Sequence, residues 1–190
     1  MINSKELKKK IFKSGMPYQA VTETFAKKSF KEITKKIDIV GKHVVVLCGP
    51  NNTGGYGMAL ARYLRDETKT NVILIGDRKK LDEDLKISYL KILGNVKQDF
   101  SLILKADIII DALIGCETNS ISKEEVRPVV DRINMSKAYR ISIDVPSGLN
   151  PDMLEPSSGY VNADLVLTVL DTKQALENFK DKTMIIDIGI

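Results

Sequence analysis

Residues Val44–Leu64 read VVVLCGPNNTGGYGMALARYL, and this stretch decides the fold class. Val44 to Cys48 is an unbroken apolar run, rich in β-branched residues and of the length of a strand buried on both faces. It breaks into Gly49-Pro50-Asn51-Asn52-Thr53-Gly54-Gly55, where glycine tolerates positive φ and asparagine tolerates the left-handed region. From about Gly55 the period turns helical, with Met58, Ala61, Tyr63 and Leu64 available for a core-facing side. Strand, glycine-rich turn and helix make the first βα unit of a parallel α/β sheet. The N–H groups at such a helix start can bind an anion; the plain alternative is a tight turn without a ligand. Two familiar phosphate loops are excluded, since there is no Lys-Ser/Thr and the glycines are not spaced G-x-G-x-x-G.

Five more apolar runs follow at α/β spacing: Asn71–Gly76, Asp107–Asp111, Tyr139–Asp144, Asp164–Leu170 and Met184–Ile188. Helical patterns fill the gaps, notably Leu81–Leu93 and Lys123–Met135, and Ser122 with Glu125 resembles a capping box. The alternation implies a parallel sheet covered on both faces, with right-handed crossovers. Ahead of it, Lys5–Lys36 is Lys-rich and interrupted by Ser14-Gly15-Met16-Pro17. Pro17 suits the first position of a new helix whose apolar stripe is Val21, Phe25 and Ile33. Its lysines read as a solvated surface rather than an RNA-binding face.

The chain has 190 residues, 43% hydrophobic and 28% charged, with a formal net charge of +4. That is ample for one α/β domain, 1–190, and the charge permits anionic ligands without demanding nucleic acid. No apolar run approaches the roughly 20 residues of a membrane helix, and the start has no apolar signal-peptide core. Cys48 and Cys116 are too few for a disulfide framework. The expectation is a cytoplasmic protein.

Asp111 closes one buried strand and Asp144 the next, the latter followed by Val145-Pro146-Ser147-Gly148-Leu149-Asn150. In a parallel sheet the carboxyl ends of all strands lie on one edge, where doubly wound folds bind ligands. Asp111, Asp144 and the glycine-rich turn should therefore converge. Ser147 and carbonyls near Asp111 offer an all-oxygen set of the kind hard cations prefer, and Asp144 qualifies by type as a general base. Cysteine catalysis has little support: Cys48 lies in a buried strand, and Cys116 has only His43 as an imidazole partner, at the far end of its strand. Zinc lacks His and Cys ligands.

Several segments resemble the NAD(P)H-hydrate epimerases, the YjeF N-terminal domain family. Val45–Leu64 is similar to that family's L-C-G-P-G-N-N-G-G-D-G motif and following helix, and D-I-I-I-D-A-L-I-G to its D-x-I-V-D-A-L-F-G. I-S-I-D-V-P-S-G-L-N is similar to V-S-V-D-I-P-S-G-L-D, and V-N-A-D-L-V-L-T-V to V-K-A-D-x-T-V-T-F. The resemblance implies a Rossmann-like three-layer α/β/α sandwich with a mostly parallel sheet, commonly a homodimer. It implies an isomerase interconverting the R and S hydrates of NADH or NADPH, NAD(P)HX, for a separate dehydratase acting on the S form. By position, the substrate loop falls on Asn52, Thr53, Gly54, Gly55 and Tyr56. A second substrate loop falls on Gly115, Cys116, Glu117, Thr118, Asn119, Ser120 and Ile121, and a substrate-contacting carboxylate on Asp144. The potassium ligands fall on Thr53, Asp111 and Ser147.

Aligned on the glycines, Asn51 replaces the family's Gly, Thr53 its second Asn, and Tyr56 its Asp. Tyr56 removes a charged acceptor and brings a bulky ring to the substrate loop. The altered loop and the Lys-rich start open a second reading, a catalytically inactive dimerisation or RNA-associated module like the related domain of enhancer-of-decapping proteins. A third is an enzyme for another nucleotide or small anion, with Tyr56 stacking on a ring.

Overall fold

Six strands form one sheet in the order β2-β1-β3-β4-β5-β6, parallel throughout. The computed structural model describes residues 4–116, 121–153 and 159–190. In chain order they are α1 (Ser4–Lys13), α2 (Tyr18–Lys36), β1 (His43–Cys48), α3 (Asn52–Leu64), β2 (Lys69–Leu74) and α4 (Glu83–Leu90). There follow β3 (Ile108–Ala112), α5 (Lys123–Met135), β4 (Tyr139–Ile143), β5 (Leu165–Val169) and β6 (Thr183–Ile186). Two 3₁₀ segments, Phe100–Lys105 and Gln174–Lys182, occupy connections where no element was expected. Among the described residues no helix is long and apolar enough to cross a membrane.

The strands alternate between two cores, as the two-residue period requires. Val44, Val46 and Cys48 of β1 join the cluster holding Phe25, Ile33, Met58 and Leu64 under α2 and α3. Val45 and Leu47 join the opposite cluster with Ile103, Val126 and Val130, under α5. The exposed lysines of α2 (Lys27, Lys28, Lys31, Lys35 and Lys36) line its outer side, while Val21, Phe25 and Ile33 are buried as the spacing anticipates.

Boundaries move where local chemistry outweighs the apolar pattern. α3 begins at Asn52, three residues before the expected start, because the Asn51 side chain caps it, accepting from the Gly54 N–H at 2.9 Å. Pro17 sits at the N-cap of α2, just outside the first helical position. β2 begins at Lys69, paired with His43, and ends at Leu74, not Gly76; the Ile75 N–H still donates to the Cys48 carbonyl at 2.8 Å before Gly76 turns the chain at φ 94°. The capping box at Ser122 and Glu125 is present on α5.

The glycines of the turn serve a different end from the one their sequence suggests. Gly49, Gly54 and Gly55 are absent from the positive-φ positions; close approach is what they permit. A Cβ on Gly54 would stand 1.9 Å from the Gly49 carbonyl oxygen, and one on Gly57 would stand 2.5 Å from the Ala112 Cβ. α3 therefore lies directly against the turn and the ends of β1 and β3.

Candidate functional site

The period of two decides which face carries the polar residues. Ile110 of β3, Ile141 and Ile143 of β4, and Leu165 and Leu167 of β5 face the α3 side. Asp111, Ser142 and Thr168 alternate with them and so face the α5 side, each buried. Asp111 and Ser142 are also register partners across β3 and β4. These three polar side chains thus form a buried band toward the carboxyl edge, completed by Asp144 directly after β4.

Asp111 is 1% exposed and is the hub of this edge. Its Oδ1 accepts from Ser147 Oγ at 2.6 Å and the Leu113 N–H at 3.3 Å; its Oδ2 accepts from Ser142 Oγ at 2.8 Å and the Ser147 N–H at 2.9 Å. Burial pushes its carboxyl above the usual range, against the lowering by these hydrogen bonds. No basic side chain is among these partners. A buried carboxylate balanced only by neutral donors, with the Ser147 hydroxyl upon it, has the all-oxygen chemistry that hard cations prefer. Thr53 is 3% exposed and packs on the loop after β3, its Oγ1 being 2.2 Å from where a Cβ on Gly115 would lie.

Asp144 is held differently. Its φ of 68° is in the left-handed region, sparsely used by residues other than glycine and of a kind that concentrates at functional sites. Its N–H donates to the Leu167 carbonyl at 2.8 Å, which locks that conformation between β4 and β5. Oδ2 accepts from the Cys116 N–H at 3.1 Å, and Oδ1 lies 2.8 Å from Lys173 Nζ. Burial would raise this carboxyl, but the Lys173 ammonium and the hydrogen bonds from Cys116 and Lys173 hold it below the usual carboxylate range. The Cys116 thiol is pushed up by burial and then by Asp144, which leaves it protonated and no nucleophile; burial does the same to Cys48.

Lys173 was not among the residues that sequence reasoning selects. It is fully buried, and its ammonium also donates to Thr168 Oγ1 and the Val169 carbonyl, each at 2.8 Å, and to the Asp171 carbonyl at 3.0 Å. The only hint in the chain is a polar Thr168 in an apolar strand five residues before a lysine.

The expected loop residues divide. Gly54 and Gly55 lie buried in the first turn of α3 with their N–H groups committed to Asn51 side-chain and backbone oxygens, so the anion-binding turn is narrower than expected. Asn51 is further tied to the end of β3 by its Nδ2, 2.6 Å from the Leu113 carbonyl. Asn52 is half-buried, its carbonyl accepting from Tyr18 at 3.4 Å. Tyr56 does not occupy the ligand edge: its ring packs on Phe25 of α2, centroids 4.7 Å apart, as part of the α2–α3 core. Ile121 likewise is buried apolar packing, near Gly49. Glu117, Thr118, Asn119 and Ser120 lie outside the described residues. His43 stands at the start of β1, with ring nitrogens against Asn71 and the Lys105 carbonyl, away from the site.

Known proteins resemble this chain in sequence and in fold. The NAD(P)H-hydrate epimerase of Oenococcus oeni is 30% identical over 191 residues, covering 95% of this chain and 90% of that protein. The bifunctional NAD(P)H-hydrate repair enzyme of Methanothermobacter thermautotrophicus is 29% identical over 177 residues, 86% of this chain but 34% of its own length. A second bifunctional relative, from Dictyoglomus turgidum, is 34% identical and matched over 28% of its length. The chain therefore spans about a third of these longer proteins. A solved yeast structure, ynu0 (YNL200c), shares the fold with a TM-score of 0.82 at 20% identity, over 97% of this chain and 87% of its own. The model of the YjeF-related protein N-terminus matches residues 18–175, and the chain belongs to that family.

Proposed function

We propose that this protein interconverts the R and S forms of hydrated nicotinamide dinucleotide, NAD(P)HX. The observation that carries the reading is Asp144, strained, buried and held ionised by Lys173 at the carboxyl edge of the sheet. Epimerisation has to break one bond at the hydrated carbon and remake it with the other face presented. Asp144 takes the hydroxyl proton as the bond from the hydrated carbon to the ring nitrogen breaks, leaving an aldehyde, and passes that proton to the nitrogen, which has kept the electron pair. Closure on the other face reverses both transfers, so no oxidant is needed. Cys116 N–H and Lys173 fix the carboxylate in place. The nearly full-length likeness to a protein named as an epimerase supports the same reading, and so does Tyr56, whose ring lies in the core against Phe25 rather than over Asp144.

Thr53, Asp111 and Ser147 would hold a potassium ion, which supplies positive charge beside Asp111 and the anionic parts of the substrate. The reading includes a dehydratase acting on the S form and a homodimer, both carried by resemblance. The test supplies the R hydrate of NADH together with an S-specific dehydratase. Recovery of NADH faster than the spontaneous rate is expected with the protein present, and no acceleration sinks the reading. Asp144→Asn is expected to remove at least about a hundredfold of that acceleration with an unchanged circular dichroism spectrum.

A further inference from the structure

A cavity of about 550 Å³ opens at the end of β2, away from Asp111 and Asp144 but on the same α5-side face. Ile75 and Phe100 line it from the sheet and the 3₁₀ segment, Pro128 and Val129 from α5, and Glu124 and Arg132 bring charge to it. Its volume is that of a small-molecule site. β2, β1, β3 and β4 are consecutive neighbours, so their ends at roughly 4.8 Å spacing place the cavity about 14 Å from Asp144. It also adjoins the glycine-rich turn, because Gly76 in its wall packs on Pro50: a Cβ there would meet Pro50 Cγ at 3.3 Å.

We propose that this cavity seats the adenosine half of the dinucleotide, an inference that rests on the epimerase reading above. Apolar walls on two sides suit the faces of a purine, and the polar groups suit its edge and the ribose. The lining carries two carboxylates, Glu124 and Glu125, against the single guanidinium of Arg132. That balance favours ribose hydroxyls, which donate to carboxylates, over a 2′-phosphate, which they repel. The substrate then lies along the edge, with its hydrated ring at Asp144, its pyrophosphate beside Pro50–Thr53 and its adenosine at α5.

Pro128→Trp tests the placement. Pro128 is an exposed residue inside α5, so its replacement restores a helix donor while filling the cavity. The substrates are the R hydrate of NADH and that of reduced nicotinamide mononucleotide, which lacks adenosine. Base stacking of the usual strength predicts a KM for the NADH hydrate raised about tenfold or more in the variant. Its kcat, and both constants for the mononucleotide, should stay unchanged. An unchanged KM, or equal losses on both substrates, overturns the proposal. If the wild type epimerises neither substrate, the functional reading fails separately. Calorimetry with ADP-ribose then decides the cavity: binding lost in Pro128→Trp supports it, and no binding or equal binding overturns it.

Discussion

Lys173 gives its ammonium to one carboxylate and three neutral oxygens, so it is fixed and fully desolvated. Removing one member of such a pair leaves the other charge buried alone, which costs about 3–5 kcal/mol. Lys173→Met is therefore expected to lower the urea-unfolding free energy at neutral pH by that amount, and Asp144→Asn added to it should recover part of the loss. The pH dependence separates this role from simple packing. In the wild type Asp144 is held below its ordinary value, so its contribution is present above the unfolded carboxylate range and is lost as the pH falls through the depressed folded value. Without Lys173, burial is the largest influence left and the folded value rises above the unfolded one. The stability of the variant should then increase relative to wild type as the pH is lowered from neutral toward the carboxylate range. Parallel curves for the two proteins would show that Lys173 does not set the charge of Asp144. Lys173→Arg should keep the wild-type pH profile even if its longer side chain lowers stability.

At the scale of the element, α3 is placed by absent side chains. Gly54 and Gly57 let its first turns touch Gly49, Cys48 and Ala112, and Asn51 ties its cap to the end of β3. Thr53 reaches the loop after β3 only because of that approach. Gly54→Ala would put a methyl into the Gly49 carbonyl, and overpacking of this kind costs about 1–3 kcal/mol. The expected outcome is a lower denaturant midpoint together with a loss of epimerisation, since moving α3 away shifts Thr53 from its seat on Gly115. A variant that keeps both midpoint and activity would show that the approach is not required.

In the whole molecule, protection should follow strand order. β1 and β3 lie inside the sheet with apolar clusters on both faces, whereas β2 and β6 are its edges. Hydrogen exchange is expected to be slowest at Val45–Leu47 and Ile109–Ile110, opening only with global unfolding, and clearly faster in β6. Equal rates across the sheet would contradict this order.

The parallel α/β class was legible in the chain because apolar runs at α/β spacing leave few ways to bury six two-faced strands, and Asp111 and Asp144 were legible because strand ends share one edge. The capping box at Ser122 was local, and local chemistry is what a sequence writes most plainly. Tyr56 was misplaced because its ring packs on Phe25 of α2, a contact between segments far apart in the chain. Lys173 was missed because a lysine in a connection looks like any solvated lysine until β4 and β5 bring Asp144 and Thr168 against it. The sequence by itself determined which residues form strands and which carboxylates reach the edge. Only the tertiary structure decided which charges pair, which glycines are there for contact, and where space remains for a ligand, because those depend on distances between segments far apart in the chain.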